Sequence, residues 1–325
     1  MIQNILIEGF IYGIMVLGVF TTFRVLNFCD MTVDGSFPLG ACVLASLLLA
    51  GVNPILALLI SFAAGMCAGL ITALIYTKLN IPDLLSGILT MTMLYSVNLR
   101  IMSNRANIQL LRVNTLFTGI TARFSGVLSH EASILVFMVI FAIVLKFILD
   151  VFFHTDFGLS MGVLGSNVQL IISQGMNPAV IKTIGICLGN GLTAVAGALG
   201  AMYQGFADVG SGTGIIVSGL ASLMLGEFIV RSNKIELQTF RVLLGSIVYR
   251  TLMYLARSYG YVIGMTANDL KLITGLLIII CLLLSKTDIV AKIRIGQSRL
   301  ERRRDIGADS NSASRKPFYE KGVQQ

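Results

Sequence analysis

The sequence predicts an all-α integral membrane protein of about nine transmembrane helices, and three observations predict it. Charged residues make up 12% of the 325 and hydrophobic ones 55%, where soluble domains carry roughly a quarter charged. Mean hydropathy is +0.85. Apolar runs close to the roughly 20 residues that cross a bilayer as a helix recur from end to end, leaving no room for a large soluble domain. The basic charge is lopsided: ten of the 24 Lys and Arg residues lie from Lys286 onward, including Arg302-Arg303-Arg304. A basic segment directly after a last apolar span follows the positive-inside rule and can touch anionic headgroups. The net charge of +8 therefore points to a cytoplasmic tail beside the lipid bilayer, with no nucleic acid as partner.

Taken in order, the first span covers 5–23. Met1-Ile2-Gln3-Asn4 lacks the positive region of a signal peptide, so this run should stay in the membrane. The second, 37–51, follows a break at Gly35 and Pro38, with Ser36 placed to cap it. Spans at 54–77 and 84–102 follow, then 132–153. A helix stop at Gly175 and Pro178 precedes the sixth, 179–201. The seventh, 214–230, carries Glu227 with Arg231 four residues on, and the eighth, 239–256, is punctuated by Arg241 and Arg250, with Arg257 just beyond. The ninth is 270–285. The chain thus reads as a transmembrane domain over 1–285, a cytoplasmic loop over 154–178 within it, and a basic, disordered cytoplasmic tail over 286–325. With the tail inside, counting back puts the N-terminus outside, and Arg24, Lys78 and 231–238 on the cytoplasmic side with the loop.

Glycines at small-residue spacing (Gly9, Gly13 and Gly18; Gly65 and Gly69; Gly185, Gly189 and Gly197) read as helix-packing positions. Residues 9–50 match 185–226 at a constant offset of 176: Gly9 and Gly13 fall on Gly185 and Gly189, and 44–49 falls on 220–225. Spans 1–4 and 6–9 would then form an inverted repeat, an arrangement common in transporters with the substrate site at the repeat interface.

Two segments can carry mechanism. Between the first two spans, Asn27, Asp30, Asp34 and Ser36 form a polar cluster wedged between apolar runs, as where a broken helix exposes backbone to a substrate path. The second-copy counterpart, 203–214, repeats the character with Tyr203, Gln204 and Asp208. Asn98 and Asn190 are intramembrane polar groups, and Arg250, deep in its span, should face the protein interior or a wet cavity. The second segment is the cytoplasmic loop. Leu164, Val168, Ile171 and Ile172 fall on one face of a short helix, Ser166, Asn167, Gln169, Ser173 and Gln174 cover the other, and no charge occurs across 157–181. Such a helix suits docking into a groove of a partner protein, and the lack of basic residues across 157–181 weighs against the alternative, a helix lying on the membrane surface.

No P-loop pattern occurs, His130 and His154 are isolated, and neither H-E-x-x-H nor G-x-S-x-G is present. The five cysteines have no metal-ligand spacing. The chain is expected to be no enzyme, with no catalytic residue, cofactor or metal of its own. The absence of an arrayed proton relay disfavours an ion-coupled secondary transporter, for which Asp30 and Asp34 are the candidate carboxylates. A scaffold protein would instead tolerate charge placed in 164–172.

Gly9-Phe-Ile-Tyr-Gly-Ile14, Leu26-Asn27-Phe28, the run from Asp30 to Ala41, Ile101 to Ile108, and Phe157-Gly-Leu159 through Gly175-Met-Asn177 resemble the permeases of ABC importers. The family is the branched-chain amino-acid and ribose permease superfamily, and the nearest branch is that of tryptophan/tyrosine transport permeases. The resemblance runs over roughly 5–285 and implies a dimeric permease core in the bacterial plasma membrane. It further implies a cytoplasmic ABC ATPase dimer that binds the ATP and Mg, and an extracytoplasmic solute-binding protein. It makes 164–175 the coupling helix, with Leu164, Gly165, Asn167, Val168, Ile171, Ile172 and Gly175 as the ATPase-coupling residues. The solute would be an amino acid, aromatic ones first, with branched-chain amino acids, nucleosides and sugars as alternatives. The family's Arg and acidic residue in this segment are replaced here by Ser160-Met161-Gly162 and Gly165-Ser166-Asn167.

Overall fold

The structure, a computed structural model, describes residues 2–111, 113–124, 129–230 and 234–262, together with Leu272, Gly275, Leu276 and Ile279. The described residues up to Gly275 form one compact unit. The expected ninth span at 270–285, apart from those four positions, and the tail at 286–325 lie outside the described residues.

The first helix, α1 (Ile2–Val19), runs on into a π-helical turn, Phe20–Val25. Then come α2 (Val33–Leu49), α3 (Pro54–Lys78), α4 (Asp83–Ile101), a short strand β1 (Asn107–Gln109) and α5 (Leu116–Phe124). The second part holds α6 (His130–His154), α7 (Asp156–Ser166), α8 (Val168–Ser173) and α9 (Pro178–Gln204). Strand β2 (Phe206–Asp208), a 3-10 turn (Val209–Gly212), α10 (Ile215–Ile229) and α11 (Ile235–Val262) complete it.

Against the expected nine spans, six helices among the described residues are long and apolar enough to cross a membrane: Ile2–Val25, Pro54–Lys78, Asp83–Ile101, His130–His154, Pro178–Gln204 and Val209–Ile229. The second expected span, 37–51, is the shorter helix α2, which starts earlier, at Val33, and takes Asp34 and Ser36 into its first turn. The eighth, 239–256, lies within α11, which also carries Glu236 and Arg257. Helix starts follow local chemistry. Asn53 and Asn177 accept from the Ile55 and Ala179 amides, both at 2.9 Å, and each precedes a proline that needs no donor partner at a helix start.

Helices α1 and α9 form the centre and run antiparallel, Gly18 lying against Gly189 and Gly200 near Ile11. Helix α9 packs on α2 and α3, and α11 packs on α1 and α10. Lipid supplies no hydrophobic force between helices, so close backbone approach holds them together. A Cβ at Gly40 would strike the Ala194 backbone, one at Gly197 the Phe37 carbonyl, and those at Gly65 and Gly69 the backbone of α9.

One end of the bundle gathers the segments expected in the cytoplasm. There Glu227 of α10 accepts from Arg24 Nε and Arg241 Nη2, each at 3.0 Å. Arg231, the partner expected for Glu227, lies outside the described residues. At the opposite end β1 pairs antiparallel with β2, Asn107 opposite Asp208, a feature absent from the all-α expectation.

Candidate functional site

The polar residues between the first two spans converge on α9. The π-helical turn ends α1, the Phe28 amide bonding back to the Thr22 carbonyl at 2.9 Å, and the chain turns inward to Asp30. Asp30 is 2% exposed. Its Oδ1 accepts from the Thr32 amide at 2.9 Å and its Oδ2 from Asn190 Nδ2 at 2.6 Å. Asn190 Nδ2 also donates to the Ile186 carbonyl at 3.0 Å, while Asn190 Oδ1 accepts from the Ser36 hydroxyl at 2.6 Å. The Thr32 hydroxyl shares a 2.7 Å hydrogen bond with Thr72 of α3. Three helices, α2, α3 and α9, are thereby tied to the loop that carries Asp30 at one buried junction, and a carboxylate is held by neutral donors.

Asp34 does a second job. Its Oδ2 accepts from the Gly214 amide and its Oδ1 from the Ile216 amide, both at 2.8 Å. The N-terminus of α10 is therefore capped by a carboxylate from α2, which suits both the orphan amides and the positive end of the helix dipole. Beside it Asn98 Nδ2 donates to the Gly35 carbonyl at 3.3 Å, and Asn98 Oδ1, fully buried, has no hydrogen-bond partner among the described residues.

The remaining expected pathway residues lie elsewhere. Asn27 is exposed, in a left-handed turn with φ of 52°. Asp208 sits in the strand pair at the far end and accepts from the Gly210 amide. Tyr203 packs edge-on to Phe117 with centroids 6.4 Å apart. Arg250 lies over the Tyr12 ring at 3.2 Å, and Tyr12 stacks on Phe37. Arg250 also pairs with Glu8 at 3.6 Å. So Asp30, Ser36 and Asn190 come together, Asp34 and Asn98 adjoin through Gly35, and the other four do not join them. Sequence reading passed over Thr32, Thr72 and Glu8. The threonines carry no signal, being common packing residues, but a carboxylate inside an apolar run, as at Glu8, is one.

The segment expected in the cytoplasm is two helices and not one. Asn167 takes extended backbone, φ of −153°, ends α7, and caps α8 by accepting from the Leu170 amide at 3.2 Å. The break rotates the faces. Leu164 and Ile171 are 2% and 0% exposed and pack with Leu26, Phe28, Met161 and Ile186, whereas Val168, Leu170 and Ile172 are 44%, 45% and 51% exposed. The single face expected from Leu164, Val168, Ile171 and Ile172 is thus divided into an anchoring pair and an outward set that Leu170 joins. Gly165 is required because a Cβ there would strike the Val25 carbonyl of the π-helical turn. Gly175, at φ of 75°, closes the segment with the left-handed turn that glycine favours.

A bundle of apolar helices, glycine-packed at its centre and carrying a short helix pair on one end, is the architecture of a polytopic α-helical membrane protein. The chain belongs to the ABC-type family described as branched-chain amino acid transport system / permease component, which matches residues 1–283. It is 38% identical over 278 residues to a tyrosine transport system permease protein of Clostridioides difficile (strain R20291), covering 86% of this chain and 89% of that one. It is 31% identical over 268 residues to an uncharacterized protein of Rickettsia prowazekii (strain Madrid E), covering 82% and 91%. Among solved structures it is similar to PsaBC from Streptococcus pneumoniae in complex with Fab, at 15% identity and a TM-score of 0.48, over 86% of this chain and 90% of that one.

Proposed function

We propose that this chain is the membrane-spanning subunit of an ABC importer in the bacterial plasma membrane, moving an amino acid, with tyrosine and its aromatic relatives first among them, on ATP hydrolysed by cytoplasmic partner subunits. The observation that carries the reading is the division of α7 and α8 into a buried anchor and an exposed apolar face. Val168, Leu170 and Ile172 offer an uncharged surface to a groove of the partner ATPase dimer, which binds the ATP and Mg. The aromatic preference rests on the tyrosine permease relative.

The geometry supplies a mechanical route. Met161 and Leu164 pack on Leu26 at the foot of the π-helical turn, and four residues on from Leu26 the chain reaches Asp30. The other route is α9, in which Asn190 stands about 18 Å from Pro178 at ~1.5 Å rise per residue. Both arms end on the Asp30–Asn190 bond. A displacement of α7 and α8 by ATP-driven closure would act on that junction from both sides. Alternating access follows, with solute passing Asp34, Ser36 and Asn98 where α2 meets α10.

The reading includes an inverted repeat. At the offset of 176, α1, α2 and α3 fall on α9, α10 and α11. The packing is correspondingly exchanged: α1 lies on α11 as α9 lies on α3, and α2 lies on α3 as α10 lies on α11. The C-terminus and the end bearing α7 and α8 face the cytoplasm. A second copy of the chain completes the permease core, and an extracytoplasmic solute-binding protein delivers solute to the end bearing β1 and β2.

The test is purification of the solubilised full chain through a tag at Gln325, with mass spectrometry of what stays bound. A stoichiometric P-loop ATPase, lost on Ile172→Asp, is the expected result. A second reading, an ion-coupled transporter, draws on the burial of Asp30 among neutral donors; uptake driven by an ion gradient without any ATPase would favour it.

A further inference from the structure

The docking face carries no charge: none occurs from Phe157 to Ile181, and the first beyond it is Lys182, in the opening turns of α9. Lys182 is half-buried, and its Nζ donates to the Tyr76 hydroxyl at 2.6 Å and lies 4.6 Å from the centroid of that ring. Tyr76 is itself held edge-on by Phe28 at 5.1 Å. Among the described residues Lys182 has no ion pair. The acid on the neighbouring turn, Asp83, is occupied by backbone: its Oδ2 accepts from the Cys29 amide at 3.2 Å and its Oδ1 from the Leu84 amide at 2.8 Å.

Lys182 stands in the wall of a cavity of about 440 Å³ lined also by Tyr76, Asn80, Pro82, Val168 and Pro178. Val168 belongs at once to this cavity and to the exposed face of α8, so cavity and docking face are continuous. A cation backed by a phenol, beside an apolar docking face and without an anion of its own, is complementary to a carboxylate arriving with the partner.

We propose that Lys182 receives an Asp or Glu side chain of the cytoplasmic ATPase subunit in the cavity beside α8, supplying the ionic contact that α7 and α8 lack. The inference rests on the docking reading and adds the position and sign of its charged contact. Tyr76 positions the ammonium, and the apolar face of α8 supplies the remainder of the contact.

The experiment measures binding of the co-purified ATPase subunit to the full-length chain in lipid nanodiscs at about 50 mM and about 500 mM salt, where screening differs several-fold. Lys182→Gln should weaken binding roughly twofold to fivefold at the lower salt and differ little from wild type at the higher. Lys182→Glu should weaken it about tenfold or more through like-charge repulsion, and Lys182→Arg should stay within about twofold of wild type. Wild-type binding by both Lys182→Gln and Lys182→Glu, with Ile172→Asp still losing the ATPase, would overturn the carboxylate contact and leave the docking reading standing. The same result with loss of anionic lipid in native mass spectrometry would assign the cavity to a headgroup, also overturning the proposal. Wild-type binding by Ile172→Asp as well would overturn the docking reading and this inference with it.

Discussion

Helices α9 and α6 are both apolar and of nearly equal length, yet α9 is the hub and α6 the rim. Along the most apolar 18 residues of α9, 89% are buried, against 28% in α6. Mean apolarity does not separate them, for α6 is the more apolar of the two. Side-chain size does. Helix α9 presents Gly189, Gly191, Ala194, Gly197 and Ala198 to its neighbours, while α6 turns Ile140, Ile143, Phe147 and Ile148 outward. In lipid, apolarity decides that a helix enters the membrane, and small residues decide where in the bundle it stands.

The strongest way to break that comparison is to enlarge a hub glycine. Gly197→Leu would drive side-chain atoms into the Phe37 carbonyl, and the cost should reach about 3 kcal/mol or more, read as loss of monodisperse protein in mild detergent. Ile171→Asp buries an unpaired charge at a fully buried position and should destabilise by a similar amount in thermal unfolding. Asp30→Ala removes the acceptor of the Thr32 amide and of Asn190, and about 1–3 kcal/mol should go with it, again read by thermal unfolding. Asp34→Ala uncaps α10 in the same assay, for about 0.5–2 kcal/mol. At the rim, Ile140→Ala, 56% exposed, should shift stability by no more than about 0.5 kcal/mol. A hub glycine that tolerates leucine, or a rim isoleucine that does not tolerate alanine, would reverse the assignment of hub and rim.

Much of this was legible in the sequence wherever a local rule governs. Asn177 with Pro178 marks the start of α9, Gly175 the turn before it, and the apolar runs locate α1, α3, α4 and α6. Gly40 and Gly197 meeting backbone bears out the packing role read from glycine spacing for the latter. The misses are tertiary. The start of α2 at Val33 depends on Asp34 finding the amides of α10, 180 residues away in sequence. The strand pair joins residues about as remote as Asn107 and Asp208. The exposure of Leu170 and the burial of Ile171 follow from the break at Asn167, which a single helical period carried across 164–172 cannot express.

The most direct test of the central claim places a photoreactive residue singly at positions 170, 171 and 172 of the full chain and cross-links it to the co-purified ATPase. The account predicts cross-links from 170 and 172, where the side chains are exposed, and none from 171, which is buried against Ile186 and its neighbours. Cross-linking from 171 with none from 172 would contradict the division of this segment into anchor and docking face.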